Sequence, residues 1–185
     1  MINFRELNSE STEFSQSFAT FLSKRNLVTE EVSNSVRNII SQIRKKGDEA
    51  LKSLTKEFDN FDAEEFIVSE REINETLKNF DKSLIKSFEF SFDKLINFQS
   101  SCFDSLNLDG PKTEITRKFR TIDSVGMYIP GGRASYPSTV LMGSAPAIAC
   151  GVKQISIASP AQNGFLTPLV IAAAKVVGVD KIYKV

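Results

Sequence analysis

Apolar residues recur at three- and four-residue intervals through roughly the first hundred positions and at two-residue intervals only afterwards, so helices are expected first and strands later. Phe14, Phe18, Phe21 and Leu22 lie at helical spacing within Ser9 to Leu22. A second helix is expected from near Thr29, through Val32, Val36, Ile39, Ile40 and Ile43. Arg44, Lys45 and Lys46 suit its carboxyl end and Gly47 its stop. Asp48 then caps a short helix carrying Ala50, Leu51, Leu54 and Phe58, and Phe66-Ile67-Val68 reads as a brief strand. Ser69 with Glu72 three residues on forms a capping box before Ile73, Leu77 and Phe80. Asp81 opens a longer helix through Leu84, Phe88, Leu95 and Phe98; Ile85, Phe92 and Ile96 fall off the main stripe, so cover on more than one side is expected.

The period changes after the turn signal Asp109-Gly110-Pro111. Thr113 to Ile122 alternates Ile115, Arg117 and Phe119 with Glu114, Thr116, Lys118 and Arg120, a half-exposed strand expected to pair as a hairpin with Val125 to Ile129. Pro130-Gly131-Gly132 ends that second strand with a backbone free to take positive φ and bare of Cβ at two successive positions, as a ligand-facing turn requires. Ser138 and Thr139 are able N-caps for the apolar segment Val140 to Ala149, which Gly151 is placed to close. Gln154 to Ala158 is a short buried strand; Ser159-Pro160 ends it and Asn163-Gly164 marks a turn. Thr167 caps, with Pro168 at the first helical position, a nearly all-apolar helix from Leu169 to Val177 that Gly178 closes, and Lys181 to Val185 is the next strand.

This order predicts an α/β protein: a helical N-terminal region leading into a partial, Rossmann-like parallel βαβαβ sheet. Such sheets take ligands at the carboxyl ends of their strands. Val185 would end a central strand with no returning helix or polar cap, so the chain is expected to be a piece of a longer protein.

Composition narrows the chemistry. With 185 residues, 41% hydrophobic and 25% charged, the chain is long enough for a core and for one or two domains. It contains no histidine, which removes the commonest metal ligand and the commonest general base together. Ser135 and Ser138 therefore have no partner to make them nucleophiles, and Cys102 and Cys150 form neither a disulfide framework nor a CxxC pair. Asp59, Asp62, Glu64 and Glu65 lack the alternation and glycine of a cation loop. Net charge is zero but divided: Gly126 to Val185 holds five basic residues and one acid, a balance that would suit a phosphorylated cofactor. No basic run with interleaved aromatics points to nucleic acid, no apolar run approaches the roughly 18 residues of a membrane span, and Met1 to Glu6 lacks a signal-peptide pattern; a cytoplasmic protein is expected.

The string VGMYIPGGRASYPSTVLM followed by PAIACGV, together with VRNIISQIRKKGDEALKSLTKEFD at Val36 to Asp59, resembles the histidinol dehydrogenases. The likeness runs from about Val32 to Val185, with Cys150 standing where that family usually has another small residue. It implies an N-terminal portion of an NAD-dependent, zinc-containing enzyme that oxidises L-histidinol to L-histidine in two steps through an aldehyde. The metal ligands and the glutamate-histidine pair that moves protons would lie in a part this chain lacks. It implies cofactor contact at Tyr128, with Pro130 and Gly131 as weaker, backbone candidates; no catalytic or metal residue is assigned. Arg133 is read as an exposed surface arginine, and the GxGxxG fingerprint is not present. The resemblance further implies a homodimer with an N-terminal contact in residues 1–24, a mainly helical portion over 25–124 and an incomplete NAD-binding domain over 125–185. The alternatives are a paralogue of the same fold acting on another alcohol, such as a sulfonated diol, and a non-catalytic binding module.

Overall fold

The computed structural model describes residues 6–23, 30–106, 119–131 and 134–185. They form helices α1 (Phe14–Ser23), α2 (Glu30–Lys46), α3 (Asp48–Asp59), α4 (Glu70–Leu77), α5 (Lys82–Leu106), α6 (Pro137–Ala149) and α7 (Pro168–Val177), with strands β1 (Ser124–Tyr128), β2 (Gln154–Ser159) and β3 (Lys181–Lys184). The chain divides into two compact units, residues 1–51 and 52–185.

In the first unit, α1 and α2 carry the predicted apolar stripes yet contain no buried residue. Phe14 and Phe18 stack at 5.4 Å, while Phe18, Leu22, Val36 and Ile40 stay exposed. Gly47 ends α2 at φ +57°, and its carbonyl accepts from the Ala50 N–H to start the next helix.

The second unit is built on a parallel three-stranded sheet in the order β1-β2-β3. Val125 pairs with Ile155, and Ile157 with both Met127 and Ile182. Alternation puts Ile155, Ile157 and Ile182 on one face, each at most 4% exposed. That face joins Val140 and Leu141 of α6 and Val170, Ile171 and Ala174 of α7 in the core. α5 packs on α6 and α7, half-burying Phe88, Phe92 and Leu95 against them. Gly143 of α6 is needed for close approach to β1, since a Cβ there would come 2.6 Å from Met127 Sδ.

Beyond β3 the expected strand at Phe66–Val68 is a single antiparallel bridge, Ile67 to Tyr183, held by Val68 N–H to Ile182 O (2.8 Å) and Lys184 N–H to Phe66 O (2.8 Å). The expected strand Thr113–Ile122 falls mostly on residues outside those described, and the hairpin with it; residues 119–122 carry no strand.

Two helix starts differ from expectation. Pro137 occupies the first turn of α6 and Tyr136 is its N-cap, with no side-chain hydrogen bond, so Ser138 and Thr139 sit inside the helix they were expected to cap. Pro supplies a helical φ where no N–H is needed, which lets the helix begin earlier. At α4 the capping box is half made: Ser69 Oγ accepts from the Glu72 N–H at 3.1 Å, but the Glu72 carboxylate turns to Lys184 Nζ, 2.8 Å away. α5 is opened by Asp81, whose Oδ1 accepts from the Ser83 N–H at 2.7 Å. That bond holds the Asp81 carboxyl below the usual aspartate range, so its support for the helix is present above that range and lost as pH falls through the lowered value.

Candidate site at the carboxyl ends of the strands

All three strands end at one rim. After β1, the fully buried Ile129 donates its N–H to Ala158 O at 2.8 Å, and Pro130 and Gly131 follow. β2 ends at the buried Ser159, whose carbonyl accepts from the Val185 N–H at 3.1 Å; Val185 O in turn accepts from the Ala161 N–H at 3.2 Å. Pro160 lies between these two bonds, where its missing N–H costs nothing.

Asn163 and Gly164 then make a tight turn, both at positive φ (+52° and +82°), closed by reciprocal hydrogen bonds of 3.0 and 3.1 Å between Gln162 and Phe165. This is the Asn-Gly geometry of a two-residue hairpin loop. Phe61 covers it so closely that its ring would overlap a Cβ at Gly164. Two residues on, Thr167 is the N-cap of α7 in extended conformation with Pro168 behind it, as expected, but its hydroxyl makes no cap bond. Thr167 Oγ1 is buried without a partner.

Between these turns lies a cavity of about 280 Å³ whose wall includes Pro130, Gly131, Ser135, Ser159, Pro160, Gln162, Asn163 and Thr167. None of its described lining side chains is charged. Its polar surface is hydroxyl and carboxamide, its apolar surface is proline, Phe165, Leu166 and Val170, and the positive end of the α7 dipole opens at its edge. Such a wall can accept and donate hydrogen bonds to a polar ligand and pack against a flat one; it offers no group for proton abstraction.

Of the expected cofactor residues, Pro130 and Gly131 lie in this wall and Tyr128 does not. Tyr128 stands two residues before Pro130, still within β1 and on the face away from the buried Ile129, 63% exposed, in one row with Ala158 and Tyr183. That face also carries Gly126 and Ser156 and bounds a second, shallower hollow of about 370 Å³ toward the strands' amino ends. Gly131 does not adopt the positive φ its glycine permits; its missing Cβ is used against the ring of Pro160 instead. Gly132 and Arg133 lie outside the described residues. Ser159, Asn163 and Thr167 were legible as strand end, turn and cap, Gln162 was not singled out, and the signal that they share a site was their place after the second parallel strand.

No group of three or more metal-ligating side chains occurs among the described residues. Asp62 of the acidic cluster is spent on Lys56, whose hydrogen bond and charge, at 2.8 Å, hold its carboxyl below the usual range. Among the described residues no helix is long and apolar enough to cross a membrane.

A parallel sheet with crossover helices and a cavity at its carboxyl rim defines an α/β protein of the open parallel-sheet kind. A histidinol dehydrogenase family model matches residues 22–185. The chain belongs to that family, one of oxidoreductases. It is 42% identical over 158 residues to the histidinol dehydrogenase of Oceanobacillus iheyensis, covering 84% of this chain and 37% of that protein. The enzyme of Brucella abortus is 37% identical over 177 residues, 94% of this chain and 41% of its own. The crystal structure of histidinol dehydrogenase from Elizabethkingia anophelis superposes with a TM-score of 0.72 at 29% identity, over 84% of this chain and 37% of that one. The chain thus spans about two fifths of the length of the relatives it matches.

Proposed function

We propose that this chain is the N-terminal portion of a cytoplasmic histidinol dehydrogenase and supplies one side of its NAD site. The family match over residues 22–185 carries the reading. Tyr128, Pro130 and Gly131 are its cofactor contacts: the exposed phenol of Tyr128 is free to hydrogen-bond a ribose or phosphate while its ring packs on the ligand, and the Pro130-Gly131 backbone walls the rim cavity. Thr167, whose buried hydroxyl has no partner, is among the residues that line that cavity. When bound, NAD supplies the hydride acceptor for oxidation of the alcohol, and this chain's residues hold and orient it.

Zinc does not fit the residues present. The chain has no histidine, and its described carboxylates and thiols form no ligand set, so no step is assigned to a metal here. Metal, proton transfer and recognition of L-histidinol belong to the remaining length found in the relatives. We place the domain boundaries at residues 24 and 124, with homodimer contact in the first segment, where the exposed stripe of α1 supports it.

The 185-residue chain should reduce no NAD in the presence of histidinol, while NAD titrated against it by calorimetry binds weakly. Tyr128→Ala should weaken that binding about tenfold, the loss of one aromatic contact with its hydrogen bond. Turnover by the chain alone, or an affinity indifferent to Tyr128, would overturn the assignment.

A further inference from the structure

The rim contains an interlock between two turns, and this inference rests on the cofactor-site reading above. A Cβ at Gly131 would stand 3.1 Å from Pro160 Cγ and 3.3 Å from both Cβ and Cδ. Such distances are tighter than most real Cβ contacts and ask the neighbour to give by a few tenths of an ångström, and a proline ring has no flexible end to swing away. Nor is its backbone free to yield. Ser159 O and Ala161 N, on either side, are both hydrogen-bonded to Val185, and Ser159 and Ala161 are 3% and 7% exposed. Gly131 itself has an ordinary φ, so its backbone would accept any L-residue.

We propose that Pro160 is a positioning residue for the cofactor site: its ring supplies the three atoms nearest to where a Cβ at 131 would stand, and the contact sets how far the turn after β1 stands from the turn after β2. The sheet's first two strands are thereby locked at their carboxyl ends by van der Waals contact, in addition to the ladder bond from Ile129 to Ala158. A side chain at 131 pushes the Pro130 wall away from the Ser159 wall. Removing the ring at 160 returns the space.

The test is a double-mutant cycle on the full chain with NAD as the probe, read by calorimetric affinity and, separately, by thermal midpoint. Gly131→Ala should weaken binding about tenfold, and Pro160→Ala alone only about twofold to threefold. The double variant should recover most of the loss caused by Gly131→Ala. Wild-type affinity in Gly131→Ala, or a double variant no better than that single, overturns the interlock. Coupling confined to the thermal midpoint with additive affinities also overturns it, since it reduces the contact to a structural one. If the unaltered chain binds no NAD at all, the site reading itself fails; if it binds and the two positions act independently, only the interlock does.

Discussion

The two faces of the sheet are made from the same three strands and have opposite characters. On one, Ile157 and Ile182 are sealed into the core with α6 and α7, and Ile155 beside them is 4% exposed. On the other, Gly126, Ser156, Tyr128 and Tyr183 form a polar, small-residue surface with a shallow hollow and, among the described residues, no helix on it. A central parallel strand is ordinarily buried on both faces and reads as a continuous apolar run. QISIAS instead alternates, so β2 is written for one dry face and one that meets something polar. Stability comes from the first face, and the second is left for other uses.

The largest expected effect tests the dry face. Ile157 is 1% exposed, and Ile157→Ala should cost about 2–5 kcal/mol through lost burial and the cavity left behind. Urea denaturation measures it; a loss below 1 kcal/mol would mean that the Ile row is not the structural core.

Most of this division was legible in the sequence. The period-two pattern located β2 and β3 to within a residue, and Pro168 with Gly178 bracketed α7, because each signal acts through its own backbone. What was not legible depended on residues far away in the chain. Glu72 had a local partner at Ser69 yet takes Lys184, 112 residues on, because burial makes a charged partner worth more than a capping amide. Gly131 carried the sign of positive φ but serves to admit Pro160. Tyr128 and Pro130 stand two residues apart in one motif, yet β1 ends between them, so Tyr128 stays on the strand's exposed face while Pro130, in the turn beyond, lines the rim cavity.

The turn that borders the rim should be next in effect. Gly164→Ala meets two penalties, a left-handed φ of +82° and the ring of Phe61, together about 2–3 kcal/mol. Thermal denaturation of Gly164→Ala and of Gly164→Ala with Phe61→Leu separates them, since only the steric part is relieved by the smaller side chain.

The Lys184–Glu72 pair ties the carboxyl end of β3 to α4, and its side chains are 14% and 20% exposed. Lys184→Met keeps the aliphatic stem but leaves Glu72 buried, with Oε1 already lacking a partner. About 1–3 kcal/mol should be lost. Glu72→Gln with Lys184→Met should recover part of it by removing the stranded charge. Lys56→Met, which breaks the exposed pair with Asp62, should leave the urea midpoint unchanged.

The smallest nonzero effect has the opposite sign and bears directly on the polar face. A Cβ at Gly126 meets nothing within 4 Å, and its φ lies outside the left-handed region, so the folded strand gives no reason for glycine there. Gly126→Ala removes conformational freedom from the unfolded chain alone and should stabilise this chain by about 0.4–1 kcal/mol. Stabilisation means that the face is open as the chain stands. Destabilisation means that another body lies against β1, which would end the contrast between the two faces. The same substitution thus has three outcomes at three glycines, set in turn by open space at 126, the Pro160 ring at 131, and backbone with the Phe61 ring at 164.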